Sequence, residues 1–178
     1  MASARRCRIP TSTTSLSTIS ISYGPAPGRK DCTEVIAVGV RPPWTWYGGL
    51  PGIDAILTFD QGLSVTYIAT MVARGFTTPQ DGIITVVGEG GTLRLEANSQ
   101  LRWYHDKQVG VIPAEMMPFT ETAYALREFL EAIRVARPPE THVEDNVRSL
   151  AIVAAVITSV EKRQPVTVSP FIAEALSA

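Results

Sequence analysis

The stretch from Thr141 to Val168, THVEDNVRSLAIVAAVITSVEKRQPVTV, constrains the fold more than any other. Thr141 and Glu144 have the spacing of a capping box, in which hydroxyl and carboxylate satisfy orphan amides reciprocally. Val143, Val147, Leu150, Ala154 and Ile157 then recur at three- and four-residue steps, the pattern of a core-facing helical stripe. Between Leu150 and Ile157 the helix is apolar almost all round, so two of its faces need cover. Gln164-Pro165 stops it, and Val166-Thr167-Val168 reads as a short strand. Such a helix needs a sheet to lie against, and the chain before it supplies one.

Glu34 to Val40 alternates as a strand, ended by Arg41-Pro42-Pro43. Ile53, Ala55, Leu57 and Phe59 alternate with Asp54, Ile56 and Thr58, and Asp60-Gln61-Gly62 turns the chain back. Leu63 to Arg74 is expected to be the longest strand, with Leu63, Val65, Tyr67, Ala69 and Met71 toward the core. Its other side carries Ser64, Thr66, Ile68, Thr70, Val72 and Arg74, too sticky for free solvent and too polar for a core. Shorter strands follow over Gly82–Gly88, Thr92–Glu96, Leu101–His105 and Val109–Ile112, joined by brief turns in an antiparallel meander. Thr120 can cap a helix running to about Ala136, with Phe119, Ala123, Leu126, Leu130 and Ile133 on one face, and Phe171 to Leu176 can add a last helical turn.

These elements predict an α+β fold: an open, mostly antiparallel sheet of about six strands, with two late helices on one face. The threonine-bearing face opposite then meets another chain, as a homodimer or a hetero-oligomer. Residues 33–178 form this domain. Residues 1–32, rich in Ser, Thr, Pro and Arg, bury little and read as a poorly ordered segment.

A chain of 178 residues with 45% apolar side chains has the means for one substantial core. The formal charge of -1, with no dense Lys/Arg cluster past Arg8, argues against a nucleic-acid surface. Cys7 and Cys32 form no CxxC pair, which suggests a reducing compartment. No apolar run reaches the roughly 18 residues a membrane span needs, and no secretory signal precedes the fold, so a cytoplasmic protein is expected.

Few residues suggest chemistry. Trp44, Trp46 and Tyr47 lie between Pro42-Pro43 and Gly48-Gly49. Aromatic rings in such a loop suit stacking on a sugar-like ligand, anchoring an interface, or plain packing. Arg74 can bind an anionic group or remain a surface cation. His105, after Trp103-Tyr104 and before Asp106-Lys107, fits either a polar pocket or a hairpin end, and His142 reads as a surface residue. Two histidines without a paired carboxylate spacing make no metal site. Neither a G-x-S-x-G elbow nor a Cys/His pairing is present, and Cys32 reads as a packed thiol. The candidate substrate-binding residues are therefore Trp44, Trp46, Tyr47, Arg74, Trp103 and His105, with no catalytic residue assigned.

The order of elements resembles the C-terminal domain of the Gfo/Idh/MocA (glucose–fructose oxidoreductase / inositol dehydrogenase) family, dihydrodipicolinate-reductase-like in fold. Four pieces carry the resemblance. Ile53 through Gly62 is similar to the family's strand and F-x-x-G hairpin, and Ile84 through Leu93 to its strand–G-x-x-G–strand step. Phe129-Leu130-Glu131-Ala132-Ile133 with Arg137-Pro138 is similar to its penultimate helix. Glu144-Asp145 through Ser159, with Pro165-Val166, is similar to its closing helix and strand.

The resemblance implies the substrate-binding and oligomerisation half of an NAD(P)-dependent sugar or polyol oxidoreductase. Full-length relatives begin with a Rossmann domain, and no G-x-G-x-x-G between strand and helix stands here before Thr33. Gly88-Glu89-Gly90-Gly91 joins two strands and offers no helix N-terminus for a pyrophosphate. Glu161-Lys162-Arg163-Gln164-Pro165 matches the family's catalytic Lys-Pro segment in composition only. Ser15 to Tyr23, where the family has Gly-x-His-x-x-Asp, holds neither His nor Asp. No cofactor is therefore expected on this chain alone. Two other readings stay open: a cofactor-free isomerase or cyclase working near Trp44, Tyr47 and Trp103, and a non-catalytic partner subunit of a full-length oxidoreductase.

Overall fold

The computed structural model describes residues 31–75, 78–79, 82–113, 117–119 and 121–177. Almost all of the N-terminal segment, the Thr120 cap and Met116 lie outside the described residues. Among those described, the strands are β1 Cys32–Val40, β2 Gly52–Phe59, β3 Ser64–Thr70, β4 Ile84–Gly88, β5 Gly91–Leu95, β6 Leu101–His105, β7 Gln108–Ile112 and β8 Val166–Thr167. The helices are α1 Glu121–Arg134, α2 Val143–Lys162 and α3 Ser169–Ser177. The fold is α+β with antiparallel pairing throughout, as the alternation predicts.

The strands differ from expectation in how they join. Instead of about six in one sheet, eight strands among the described residues form two four-stranded sheets, ordered β3-β2-β1-β8 and β4-β5-β6-β7. The chain divides accordingly into two units. One holds the described residues up to Arg74 and those from Val143 on; the other is Gly75–His142. The physical reason is the early end of β3. The last rung is the Met71 amide donating to the in-register Pro51 carbonyl (2.8 Å); Pro51 has no N–H to return, and the ladder ends there. Met71, expected in the core, is exposed, and Val72, expected outside, is buried.

In the first unit, Val35 and Ala37 of β1, Ile53, Ala55, Leu57 and Phe59 of β2, and Ala151, Ile152, Ala155 and Val156 of α2 make the core. Helix α2 packs on β1 and α3 packs on α2. The face that α2 buries is not the one its periodicity points to. Ser149, Ala151, Ile152, Ala155, Val156 and Ser159 are buried, whereas Val143 is 73% and Leu150 57% exposed. Small side chains let the helix sit close on β1, and that close fit decides the face where the helix is apolar all round. Strand β8 covers only Glu34 and Val35 of β1. Beyond it the Ala37 amide donates to Ser159 Oγ (2.9 Å), whose hydroxyl donates in turn to the Gln164 carbonyl (2.7 Å).

On the other side of this sheet several apolar side chains are exposed. Register lines up Ile36, Ile56 and Thr66 in one row and Val38, Asp54 and Ile68 in the next. Ile68 is 74% and Val38 62% exposed.

In the second unit, β4 to β7 form a meander with short turns. Trp103 lies over Gly110, its cross-strand partner, where a Cβ would come within 2.3 Å of the indole Nε1. Helix α1 ends in a Schellman motif: Ala136 adopts φ +53°, its amide donates to Ile133 and that of Arg137 to Ala132. The stripe expected to roof a sheet is exposed, with Leu126, Leu130 and Ile133 all open and Ala132 buried in their place. Of the two expected helices, α2 is the one that packs on β1 among the described residues.

Candidate functional site

The aromatic loop after β1 is built as a rigid platform. Arg41, the first residue past the strand, donates from Nη1 to the carbonyls of Tyr47 (2.6 Å) and Gly49 and so ties the loop's two ends. Inside it, the Thr45 amide donates to the Pro42 carbonyl (3.2 Å) and the Tyr47 amide to Thr45 Oγ1 (3.1 Å). Trp46 and Tyr47 meet edge to face at 5.8 Å, with Trp46 84% exposed. Trp44 Nε1 donates to the Val72 carbonyl (3.1 Å), which explains why the chain leaves β3 early. The Arg74 guanidinium then lies 5.5 Å from the centre of the Trp44 ring, a cation–π arrangement.

Four of the six residues expected at a site therefore come together around one loop: Trp44, Trp46, Tyr47 and Arg74. Arg74 reaches it from beyond β3, not from the strand's threonine face. The loop can offer flat faces for stacking and one cation. Residues 41–51 hold neither a cysteine nor a histidine. Arg41, which fixes the platform, is missed by a reading that seeks ligand-binding side chains; its place between a strand end and two prolines is the available signal.

Trp103 and His105 belong to the second unit, two residues apart on one face of β6. Trp103 is half-buried over Gly110, while His105 is exposed at the β6–β7 turn. Its Nδ1 stands 3.0 Å from the Gly90 carbonyl, which can only accept, so Nδ1 carries the proton. Nε2 faces Asp106 Oδ2 at 3.7 Å. Cys32 is buried, and burial pushes its thiol up to about 11, opposed by the 3.7 Å contact with the Glu34 carbonyl. It is an unreactive packing residue at neutral pH.

No group of three His, Cys, Asp or Glu among the described residues is placed to hold a metal. A dinucleotide does not fit the glycine turn either. Gly88 pairs with Gly91 to close a hairpin, Gly91 has φ +122°, and a Cβ there would sit 2.3 Å from the Tyr104 carbonyl. Sheet packing explains that glycine, and the turn leads into β5, not into a helix whose amides could hold a pyrophosphate. No step of redox chemistry is assigned to this chain's described residues. None of their helices is long and apolar enough to cross a membrane.

Comparison with known proteins agrees with this architecture. Residues 52–168 match the model of the GFO/IDH/MocA "oxidoreductase family, C-terminal alpha/beta domain". The uncharacterized protein y4oX of Sinorhizobium fredii is 25% identical, over 79% of this chain and 42% of its own length. An oxidoreductase from Agrobacterium radiobacter, solved with NAD+, L-tartaric acid and magnesium, superposes with a TM-score of 0.67 at 14% identity, over 79% of this chain and 44% of that one. UDP-N-acetylglucosamine 3-dehydrogenase from Acidithiobacillus ferrooxidans gives 0.64 at 21% identity, over 75% and 41%. Aldose-aldose oxidoreductase from Caulobacter crescentus, complexed with glycerol, gives 0.64 at 14%, over 78% and 42%. The chain thus spans less than half the length of each of these relatives. With its antiparallel sheets, its closing helix on β1 and a family match over most of its length, this chain belongs to the Gfo/Idh/MocA oxidoreductase family, as the C-terminal domain.

Proposed function

We propose that this chain is the substrate-binding and oligomerisation domain of a cytoplasmic, NAD(P)-dependent sugar or polyol oxidoreductase, without redox activity of its own. Its copies, or a full-length oxidoreductase subunit, pair across the open face of the β3-β2-β1-β8 sheet. The observation that carries this reading is the composition of that face. Ile36, Val38, Ile56 and Ile68 stand exposed in adjacent rows, with Thr66 beside Ile56 and Asp54 between Val38 and Ile68. Apolar surface of this kind marks an interface, and Glu34 and Asp54 are the charged residues on the same face.

The Arg41-tied platform supports the substrate class. Trp44 and Tyr47 give ring faces for a polyhydroxylated ligand and Arg74 a cation. The names of the similar structures, a nucleotide-sugar dehydrogenase and an aldose oxidoreductase, agree with such a ligand.

The test is the mass of the purified chain in light scattering at micromolar concentration. Two or more chains per particle are expected, and Ile68→Lys or the Thr66→Lys, Thr70→Lys pair should reduce it to one, because a buried unpaired ammonium costs several kcal/mol, roughly a thousandfold or more in affinity. A parent protein that is monomeric, or variants of unchanged mass, would discard the assembly reading. Saturable NAD(P) binding by the isolated chain would discard the absence of a cofactor site.

A further inference from the structure

We propose that Arg102 anchors an anion-binding site on the second unit, taking the carboxylate or phosphate group of a small polar ligand. The register of the meander sets Arg94 of β5 directly opposite Arg102 of β6. Directly opposed side chains have Cβ atoms about 4.5–5.5 Å apart, and like charges so placed repel. One carboxylate lies beside them. Glu96 Oε2 stands 3.3 Å from Arg94 Nε and is committed to that guanidinium. The Arg102 guanidinium has no hydrogen bond or ion pair among the described residues, yet the residue is half-buried. A partly desolvated guanidinium opposite a second one, with the adjacent carboxylate held by Arg94, leaves room for an anion.

The surface around Arg102 has the form of a site for that anion. An open depression is lined by Glu96, Ala97, Asn98, Gln100, Arg102 and Tyr104. Alternation along β5 and β6 puts Arg94, Glu96, Arg102 and Tyr104 on one side of the sheet. Asn98 Oδ1 accepts from the Gln100 amide (3.1 Å), which holds the turn and leaves the Asn98 amide nitrogen free to donate. Arg102 can grip an oxyanion through both arms of its fork, with the Tyr104 hydroxyl and the Asn98 side chain as lateral donors. Glu96 keeps the local charge near one positive unit, which suits one anionic group and disfavours a polyanion such as nucleic acid.

The site is independent of the assembly proposed above, since the open face belongs to the other unit. Its test is calorimetric titration of the full chain, at low ionic strength, with inorganic phosphate and separately with malonate. Saturable binding is expected, and whichever anion binds more tightly identifies the group the site is built for. Arg102→Gln should weaken it about tenfold or more, as loss of charge-assisted hydrogen bonds does. Arg102→Lys, which keeps the charge but loses the fork, should fall between. Glu96→Gln should tighten binding, because it releases Arg94. Lys107→Gln, the same charge change at the β6–β7 turn, should leave binding unchanged. The proposal is overturned if the parent shows no saturation, if Arg102→Gln and Arg102→Lys bind as the parent does, or if Lys107→Gln loses as much as Arg102→Gln. A particle mass unchanged in Arg102→Gln separates this outcome from any failure of the interface.

Discussion

Ser159 shows how one hydroxyl closes a gap that the strand order leaves. Strand β1 lies inside its sheet, but β8 pairs with only two of its residues. The Ala37 amide would otherwise be orphaned beneath α2, and Ser159, with no exposed surface, accepts from it. Ser159→Ala is therefore expected to lower stability by about 1–3 kcal/mol, the cost of a buried donor without an acceptor. Thr158→Ala should change stability by less than about 0.5 kcal/mol, because its hydroxyl donates within the helix to the Ala154 carbonyl, which the helix ladder already serves. Urea unfolding of both variants checks the contrast, and equal effects would show that Ser159 is no more than a spacer. The sequence contains a hint of this role, a serine within an apolar run, but nothing in the run reveals that β8 will be two residues long.

At the scale of elements, the alternation and the turn residues made each strand readable one at a time. Leu101–His105 is found as expected, and the remaining strands shift by one or two residues at their ends, β3 excepted. What the sequence did not show is where one sheet stops and the next begins. That depends on Trp44 bonding the Val72 carbonyl just past the last β2–β3 rung, a contact between residues distant in the chain. Likewise the aromatic loop was legible from its ring residues, whereas Arg94 and Arg102 became a pair only once the register was known. The α2 stripe was misread because both candidate faces are apolar, and close packing, not hydrophobicity, selects between them. The two faces should respond oppositely to substitution. Ile152→Ala is expected to cost about 2–5 kcal/mol as a core truncation, while Leu150→Gln should stay within about 0.5 kcal/mol. Thermal or chemical melting of the pair measures this directly, and a destabilised Leu150→Gln would mean that the outer face of α2 is covered after all.

Across the whole molecule, burial is unevenly shared. The apolar core cluster consists entirely of residues from the unit that contains β1, β2 and α2. In Gly75–His142, Ala132 is the one buried apolar side chain among the described residues, and the meander is half-exposed on both faces. Local opening free energies follow buried apolar contact, so the two units should not open together. Native-state amide exchange is expected to show the amides of Leu57 and Val156 opening only with global unfolding. Those of Leu93 and Tyr104 should exchange orders of magnitude faster, through opening of the meander alone. The second unit's sheet relies on Trp103 lying flat on Gly110, so Gly110→Ala should speed exchange in β6 and β7 further and leave β1 and β2 untouched. Equal protection in both units, or a Gly110→Ala effect that reaches β2, would require the meander to share the core of the first unit rather than to open by itself.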